Sequence, residues 1–332
     1  MLPLPIFEYH KPRTLAEATG LLAALGDKAM ILAGGTDVLP NMKQGLFEPE
    51  HVVSISALEE LRGIGFTRSP DGESHLVIGS GMRLAEIADS LLVTRAAPAL
   101  AEAAGLVGGP HHRAMGTLGG NICLDTRCRY YNQTYFWRKA LGFCLKKDGT
   151  ACHVVKGGAK CVAAASNDSA PALLALDAEL LLLGNTGERR VRAVDFYTAD
   201  GIRNTVLQPG EIVVSAAIPV VAGRRSAFEK LRKRGAIDFP LLSVAARIDR
   251  GSEGGILAVS VVVSALGARP RRVRAASNIV PGAAETGLAE AVARGAYSEC
   301  KPLTNLDEEA EWRREMVPVL VKKAVTRALG PG

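Results

Sequence analysis

The chain of 332 residues has no hydrophobic run long enough to cross a bilayer. Its most apolar stretches, 170–176 and 180–183, are interrupted by Asp177 and Glu179. The opening Met1-Leu2-Pro3-Leu4-Pro5 has neither the basic start nor the apolar core of a secretory leader, so the cytoplasm is the expected compartment. A G-x-G-x-x-G fingerprint and a G-x-x-x-x-G-K-[ST] loop are both missing, which disfavours a simple nicotinamide-binding or P-loop fold. No C-x₂-C pair occurs, although such pairs mark zinc ribbons and bacterial ferredoxins. Aromatics are scarce at 5%, and neither an internal repeat nor a low-complexity tract is visible.

What is present fits an ordinary globular protein, 48% hydrophobic and 22% charged, with length for two or three cored domains. Thr14-Leu15-Ala16-Glu17 forms a capping box ahead of an apolar helix reaching about Leu25. Strands are expected at 29–33 and 51–55, giving a small βαβ-like unit over about residues 6–56. A second region holds a strand at 75–81, helices at 84–90 and 98–105, a helix at 170–176, and strands at 179–183 and 212–218. Pro98 stands near the first position of its helix, where proline is well tolerated. Turn residues Ala222-Gly223-Arg224-Arg225 set a boundary near 220–226. Beyond it come the apolar run 241–246, a strand at 256–265 and an amphipathic helix from Asp307 to Leu329. The expectation is an α+β chain with subdomains of about 1–56 and 57–222, followed by a C-terminal domain over 223–332.

Five of the six cysteines fall between Cys123 and Cys161. In a cytosolic protein such thiols are metal ligands or free thiols rather than disulfides. Spacing alone leaves iron–sulfur, zinc and plain thiols open, and His153 would strain a tetrahedral zinc site because it neighbours Cys152. Between Arg127 and Cys161 eight cations face a single anion, Asp148, so this segment accounts for the whole net charge of +6. The basicity is therefore local and does not describe a nucleic-acid face. Two readings of it are compatible: positive charge offsetting an anionic cluster, or a solvated basic loop that docks an acidic partner. Tyr130, Tyr131, Tyr135, Phe136, Trp137 and Phe143 crowd the same segment, either as a local mini-core or as a shield keeping water from a cluster.

Gly34-Gly35-Thr36, placed after a strand, offers backbone without side chains where amides can approach a pyrophosphate. Gly119-Gly120-Asn121, with the Thr117 hydroxyl nearby, offers a second such cradle. The stretches Ala33-Gly34-Gly35-Thr36-Asp37-Val38-Leu39-Pro40 and Arg113-Ala114-Met115-Gly116-Thr117-Leu118-Gly119-Gly120-Asn121 resemble the paired FAD signatures of the xanthine dehydrogenase/carbon monoxide dehydrogenase medium subunits. Asp168-Ser169-Ala170-Pro171-Ala172-Leu173 is similar to the family's next block, whose aspartate contacts the flavin nucleotide. Lys230-Leu231-Arg232 with Asp238-Phe239-Pro240 resembles the start of its C-terminal domain.

The resemblance covers essentially the whole chain. It implies a two-subdomain FAD-binding (PCMH-type) domain followed by a C-terminal domain of small antiparallel sheet and helices. Leu32, Ala33, Gly34, Gly35, Thr36, Asp37, Gly116, Thr117, Gly119, Gly120, Asn121 and Asp168 become the expected FAD residues. Most of the family lacks the segment from about 124 to 166. Its order resembles the iron–sulfur insert of the 4-hydroxybenzoyl-CoA reductase branch, which implies a [4Fe–4S] cluster on Cys128, Cys144, Cys152 and Cys161. These four are spaced by 16, 8 and 9 residues. Cys123 is then a non-ligand near the flavin and Cys300 an ordinary thiol.

The resemblance further implies a molybdenum enzyme in which partner subunits carry molybdopterin and two [2Fe–2S] clusters, assembled as a dimer of heterotrimers and fed by a ferredoxin-like donor. No catalytic acid or base is expected in this chain, because substrate chemistry belongs to the partner. The reaction it points to is reductive dehydroxylation of an aromatic CoA thioester. The alternatives are an oxidative hydroxylase of the same family and, from another class, a zinc-stapled binding module.

Overall fold

The computed structural model describes residues 2–330, and its strands form three sheets. Strands β1 (Glu8–His10), β2 (Ala29–Leu32) and β3 (His51–Ser54) make a parallel sheet in the order β1-β3-β2. Parallel neighbours need crossovers. The helix Leu15–Leu25 links β1 to β2, and the short helix Val38–Lys43 lies between β2 and β3. Thr14 opens the first helix as expected, its hydroxyl accepting from the Glu17 amide at 3.1 Å.

Strands β4 (Ile64–Arg68), β5 (Ser74–Gly79), β6 (Glu179–Gly184), β7 (Gly187–Arg192) and β8 (Ile212–Pro219) form an antiparallel sheet in the order β4-β5-β8-β6-β7. Helices Leu84–Asp89, Pro98–Gly105 and Ser169–Ala175 contribute Leu84, Ile87, Leu100, Leu173 and Leu174 to its buried core.

The last sheet holds β9 (Arg225–Leu231), β10 (Leu242–Arg250), β11 (Ile256–Ser264) and β12 (Arg271–Arg272), all antiparallel. Its central strand is buried almost end to end because both of its faces are covered. Leu242, Val244, Ala246 and Ile248 pack with the helices Leu288–Glu299 and Ala310–Leu329. Ala245, with Phe228 and Val262, joins the core of the preceding domain. Strand side chains alternate between faces, and on the face opposite Leu242, Val244, Ala246 and Ile248 the strand buries Ser243, Arg247 and Asp249 along with Ala245. The two domains thereby share a wall, and that wall flanks the site.

The cysteine-bearing segment carries one short helix, Tyr135–Ala140, and is otherwise irregular. Leu46, Cys128, Tyr131, Cys144, Cys161 and Ala163 form its own small apolar cluster. Of the two readings of the aromatics, the shield is only half realised. Tyr130 and Tyr131 stand beside the thiols, whereas Tyr135, Phe136 and Trp137 are exposed at 45%, 81% and 39%. The cause is Arg138: it takes the inward face of that six-residue helix and leaves its neighbours facing out. Among the described residues, no helix is long and apolar enough to cross a membrane.

Candidate flavin site and thiol cluster

The strand β2 delivers Gly34-Gly35-Thr36-Asp37 to the mouth of a cavity of about 770 Å³. A Cβ added to Gly34 would sit 2.1 Å from the Met115 carbonyl oxygen and 2.9 Å from the Gly116 Cα. The two glycine motifs, remote in sequence, therefore press backbone against backbone, and only glycine fits at that point. Gly35 adopts φ 71°, the left-handed conformation glycine takes without strain. On the second motif, Thr117 accepts from the Gly120 amide at 3.1 Å, and a Cβ on Gly119 would lie 2.8 Å from the Ser80 Cβ. Backbone amides thus form the cradle walls, and a pyrophosphate can approach them closely.

Of the expected flavin residues, Ala33, Gly34, Gly35, Thr36, Asp37, Gly116, Thr117, Gly119, Gly120, Asn121 and Asp168 line this one cavity. Leu32 does not line it; its side chain packs beside Gly35 instead. The Asn121 amide oxygen is already engaged, accepting from the Ser169 amide at 3.0 Å and the Ser169 hydroxyl at 2.5 Å. Its work is to dock the motif onto the helix Ser169–Ala175. Cys123 is on the cavity wall, exposed there and apart from the other four thiols of its segment.

Two carboxyls stand out. Asp168 is buried, and its Oδ2 accepts from Lys230 Nζ at 2.6 Å while its Oδ1 has no partner among the described residues. Burial pushes its carboxyl up to about 6, against the pull of Lys230. Asp37 is likewise pushed up to about 6 by burial, with Arg127 opposing. The Arg127 guanidinium lies 3.9 Å from Asp37 and 3.8 Å from the centre of the Phe239 ring. Arg127, Ile237, Asp238 and Phe239 all border the cavity. Arg127 escaped sequence reasoning because it counted only as one of eight cations. Cavity size, a glycine-lined cradle and an unpaired buried carboxylate oxygen together suit a dinucleotide such as FAD.

A family model described as the FAD binding domain in molybdopterin dehydrogenase matches residues 5–221, and one described as the CO dehydrogenase flavoprotein C-terminal domain matches residues 226–328. The chain belongs to this flavoprotein family. It is 30% identical to the carbon monoxide dehydrogenase medium chain of Hydrogenophaga pseudoflava, covering 99% of this chain and 98% of that one. It is 28% identical to the xanthine dehydrogenase FAD-binding subunit of Escherichia coli O157:H7, over 97% and 95% of the two chains. The solved structure of carbon monoxide dehydrogenase from Hydrogenophaga pseudoflava superposes with a TM-score of 0.78 at 28% identity, covering 98% of both chains. The protein is thus a medium-chain, FAD-binding subunit of the CO/xanthine dehydrogenase family.

In this flavoprotein the other four thiols of the cysteine segment converge. Cys128, Cys144, Cys152 and Cys161 line a second, narrow space of about 20 Å³, with Tyr130, Tyr131, Lys146 and His153 around them. Among the described residues no three of these sulfurs lie within 4.8 Å of one another. Four thiolates on one zinc ion sit about 3.8 Å apart, from Zn–S bonds of about 2.3 Å. The thiols are therefore spread wider than preformed tetrahedral zinc requires. Backbone amides of Val155 and Ala163 donate to the sulfurs of Cys152 and Cys161 at 3.4 Å each. His153 Nε2 is taken up by the Phe143 carbonyl at 2.5 Å. Burial pushes the Cys128 thiol up to about 11 and raises Cys161, the latter opposed by Lys146. Cys300 is elsewhere, buried in the C-terminal core.

Two of the segment's cations are internal rather than solvated. Arg138 is 1% exposed, pairs with Asp148 at 3.2 Å and donates to the Gly45 carbonyl at 2.8 Å. Lys146 is 6% exposed, pairs with Asp125 at 2.6 Å and donates to the Gly201 carbonyl at 2.8 Å. Cys128 follows Arg127 directly in sequence, and Arg127 and Ala164 exchange backbone bonds of 2.9 and 2.7 Å. One short stretch of chain thus borders both the flavin cavity and the thiol cluster.

Proposed function

We propose that this flavoprotein is the electron-transfer subunit of a molybdenum-containing oxidoreductase and holds a [4Fe–4S] cluster beside its FAD. The observation that carries this reading is the convergence of Cys128, Cys144, Cys152 and Cys161 on one space, one residue away from a side chain that borders the flavin cavity. FAD exchanges electrons in pairs or singly, and a cluster exchanges them singly. The chain's own residues do the holding. Main-chain amides of Gly34 to Asp37 and Gly116 to Asn121 face the pyrophosphate, Asp168 offers its free Oδ1 to the nucleotide, and the four cysteines ligate iron. Seating a cubane in so narrow a space displaces the surrounding loops outward.

The partners in this reading are a molybdopterin-binding large subunit and a small subunit with [2Fe–2S] clusters, assembled as a dimer of heterotrimers with a ferredoxin-like donor. The reaction is reductive dehydroxylation of an aromatic CoA thioester, as in 4-hydroxybenzoyl-CoA reductase. A second reading has electrons leaving through FAD from an oxidative hydroxylation, in keeping with the dehydrogenase names of the relatives.

Iron, zinc and FAD are quantified on anaerobically purified protein, with EPR after dithionite. About four irons and one FAD per chain, with the reduced-cluster signal lost in Cys144→Ser, are expected. Flavin without iron removes the cluster from the reading, and zinc without flavin overturns it entirely. In the assembled enzyme, turnover with reduced ferredoxin-type donors but not with NAD⁺ selects the reductase over the hydroxylase.

A further inference from the structure

Away from the flavin cavity and the thiols, three metal-ligating side chains meet at the edge of the N-terminal sheet. β1 pairs in parallel with β3, with Glu8 opposite His51 and His10 opposite Val53. Side chains two apart on a strand share a face, so Glu8 and His10 point the same way, and the register brings His51 alongside them. Nε2 of His10 lies 3.1 Å from Nδ1 of His51. Glu8 places Oε1 at 3.8 Å from the His10 nitrogen and Oε2 at 3.4 Å from the His51 nitrogen.

The two carboxylate separations end on different Glu8 oxygens, and the three distances of 3.1, 3.4 and 3.8 Å bracket the edge of a coordination tetrahedron. With metal–nitrogen and metal–oxygen bonds of about 2.0–2.2 Å, the edges measure about 3.3–3.6 Å. Both histidines are mostly enclosed, at 18% and 19% exposure, while Glu8 is 66% exposed. The fourth position therefore opens to water. Two imidazoles and a carboxylate are borderline ligands, suited to zinc and its neighbours rather than to calcium or magnesium.

The geometry points to a binding site for one divalent ion of the zinc class, held by Glu8, His10 and His51. It is independent of what the cysteines hold and of the direction of electron flow. Its consequence is mechanical: the ion bridges β3 and β1, a three-residue edge strand whose sheet partner among the described residues is β3. The simpler arrangement is an imidazole N–H···N hydrogen bond at 3.1 Å beside a carboxylate, which takes no ion.

Zinc is titrated calorimetrically into anaerobically purified, chelator-treated protein, alongside His10→Gln, His51→Gln and Cys144→Ser. FAD content equal to wild type certifies that the histidine variants fold. One zinc equivalent is expected in wild type and Cys144→Ser that is missing from both histidine variants. Zinc is also expected to slow amide exchange at Tyr9 and His10 in wild type and Cys144→Ser only. Equal zinc stoichiometry in wild type and the histidine variants overturns the site and leaves a hydrogen-bonded imidazole pair.

Discussion

Lys230 Nζ lies 2.6 Å from Asp168 Oδ2, and the two side chains are 1% and 3% exposed. Lys230 comes from β9 of the C-terminal sheet, Asp168 from the start of the helix Ser169–Ala175 on the flavin cavity. The pair fastens the C-terminal domain to the wall of the site, and Lys230 also donates to the Leu106 carbonyl at 3.0 Å. Removing one partner of a buried pair strands the other charge, at about 3–5 kcal/mol. Lys230→Met is expected to lose stability of that order and to push the Asp168 carboxyl further above 6. Adding Asp168→Asn to it is expected to cost much less than the sum of the single changes, as a double-mutant cycle in urea checks.

Gly34→Ala is expected to lose flavin. Its new methyl would meet the Met115 carbonyl oxygen at 2.1 Å, and every atom it would crowd belongs to backbone, so the two motifs must part. The FAD-to-protein absorbance ratio reads the outcome, and a full complement of FAD refutes the cradle. Gly20→Ala is the control: Gly20 sits within the helix Leu15–Leu25 with nothing within 4 Å of an added Cβ. It is expected to gain about 0.5–1 kcal/mol and keep its flavin.

Much of the frame was legible in the sequence because local signals and tertiary structure agree. The helix Pro98–Gly105 has the limits its proline and apolar spacing gave it, and the Thr14 cap starts its helix where expected. The C-terminal helix begins at Ala310 rather than Asp307, and β9 went unread. In β9, Ser226 to Glu229 are all buried, so no alternation marks the strand. In β7 the reverse holds, for Gly-Glu-Arg-Arg-Val-Arg is an edge strand carrying mostly charge. The glycine motifs were readable as a pair because both must be bare for backbones to touch. Arg127 and Lys146 were not, since nothing local separates a buried cation from a solvated one. The Glu8–His10–His51 group depends on register between strands far apart in sequence.

Asp37 and Asp168 are expected to give the protein an inverted pH profile. Burial raises both carboxyls from 3.8 to about 6. A carboxyl that binds its proton more tightly in the folded state stabilises the fold in full below about pH 3.8. That contribution is lost as pH rises through about 6. These two groups therefore make stability fall between pH 4 and 6, where ordinary carboxylates make it rise. Asp37→Asn is expected to flatten the fall, and Arg127→Gln, which removes the opposing cation, to move it to higher pH. Urea midpoints from pH 4 to 7 in the three proteins decide; an unchanged slope in Asp37→Asn counts against the assignment.

Lys146 gives the sharpest separation between the flavin cavity and the thiol cluster. Its ammonium pairs with Asp125 at 2.6 Å, donates to the Thr126 hydroxyl at 2.5 Å and to the Gly201 carbonyl at 2.8 Å, and lies 4.6 Å from the centre of the Tyr131 ring. Gly201 in turn receives the Thr126 hydroxyl at 2.6 Å, and its amide donates to the Cys161 carbonyl at 2.8 Å. One buried cation thus ties the stretch before Cys128, the loop at Cys144 and the segment at Cys161 into a single arrangement. Lys146→Met keeps the stem but leaves Asp125 without its cation, at a cost of about 3–5 kcal/mol to this local unit. Lys146 itself does not line the flavin cavity, so on the proposed cluster reading iron is expected to fall well below four per chain while FAD stays near one. Parallel loss of both would instead make the thiol segment a structural prop of the flavin cavity.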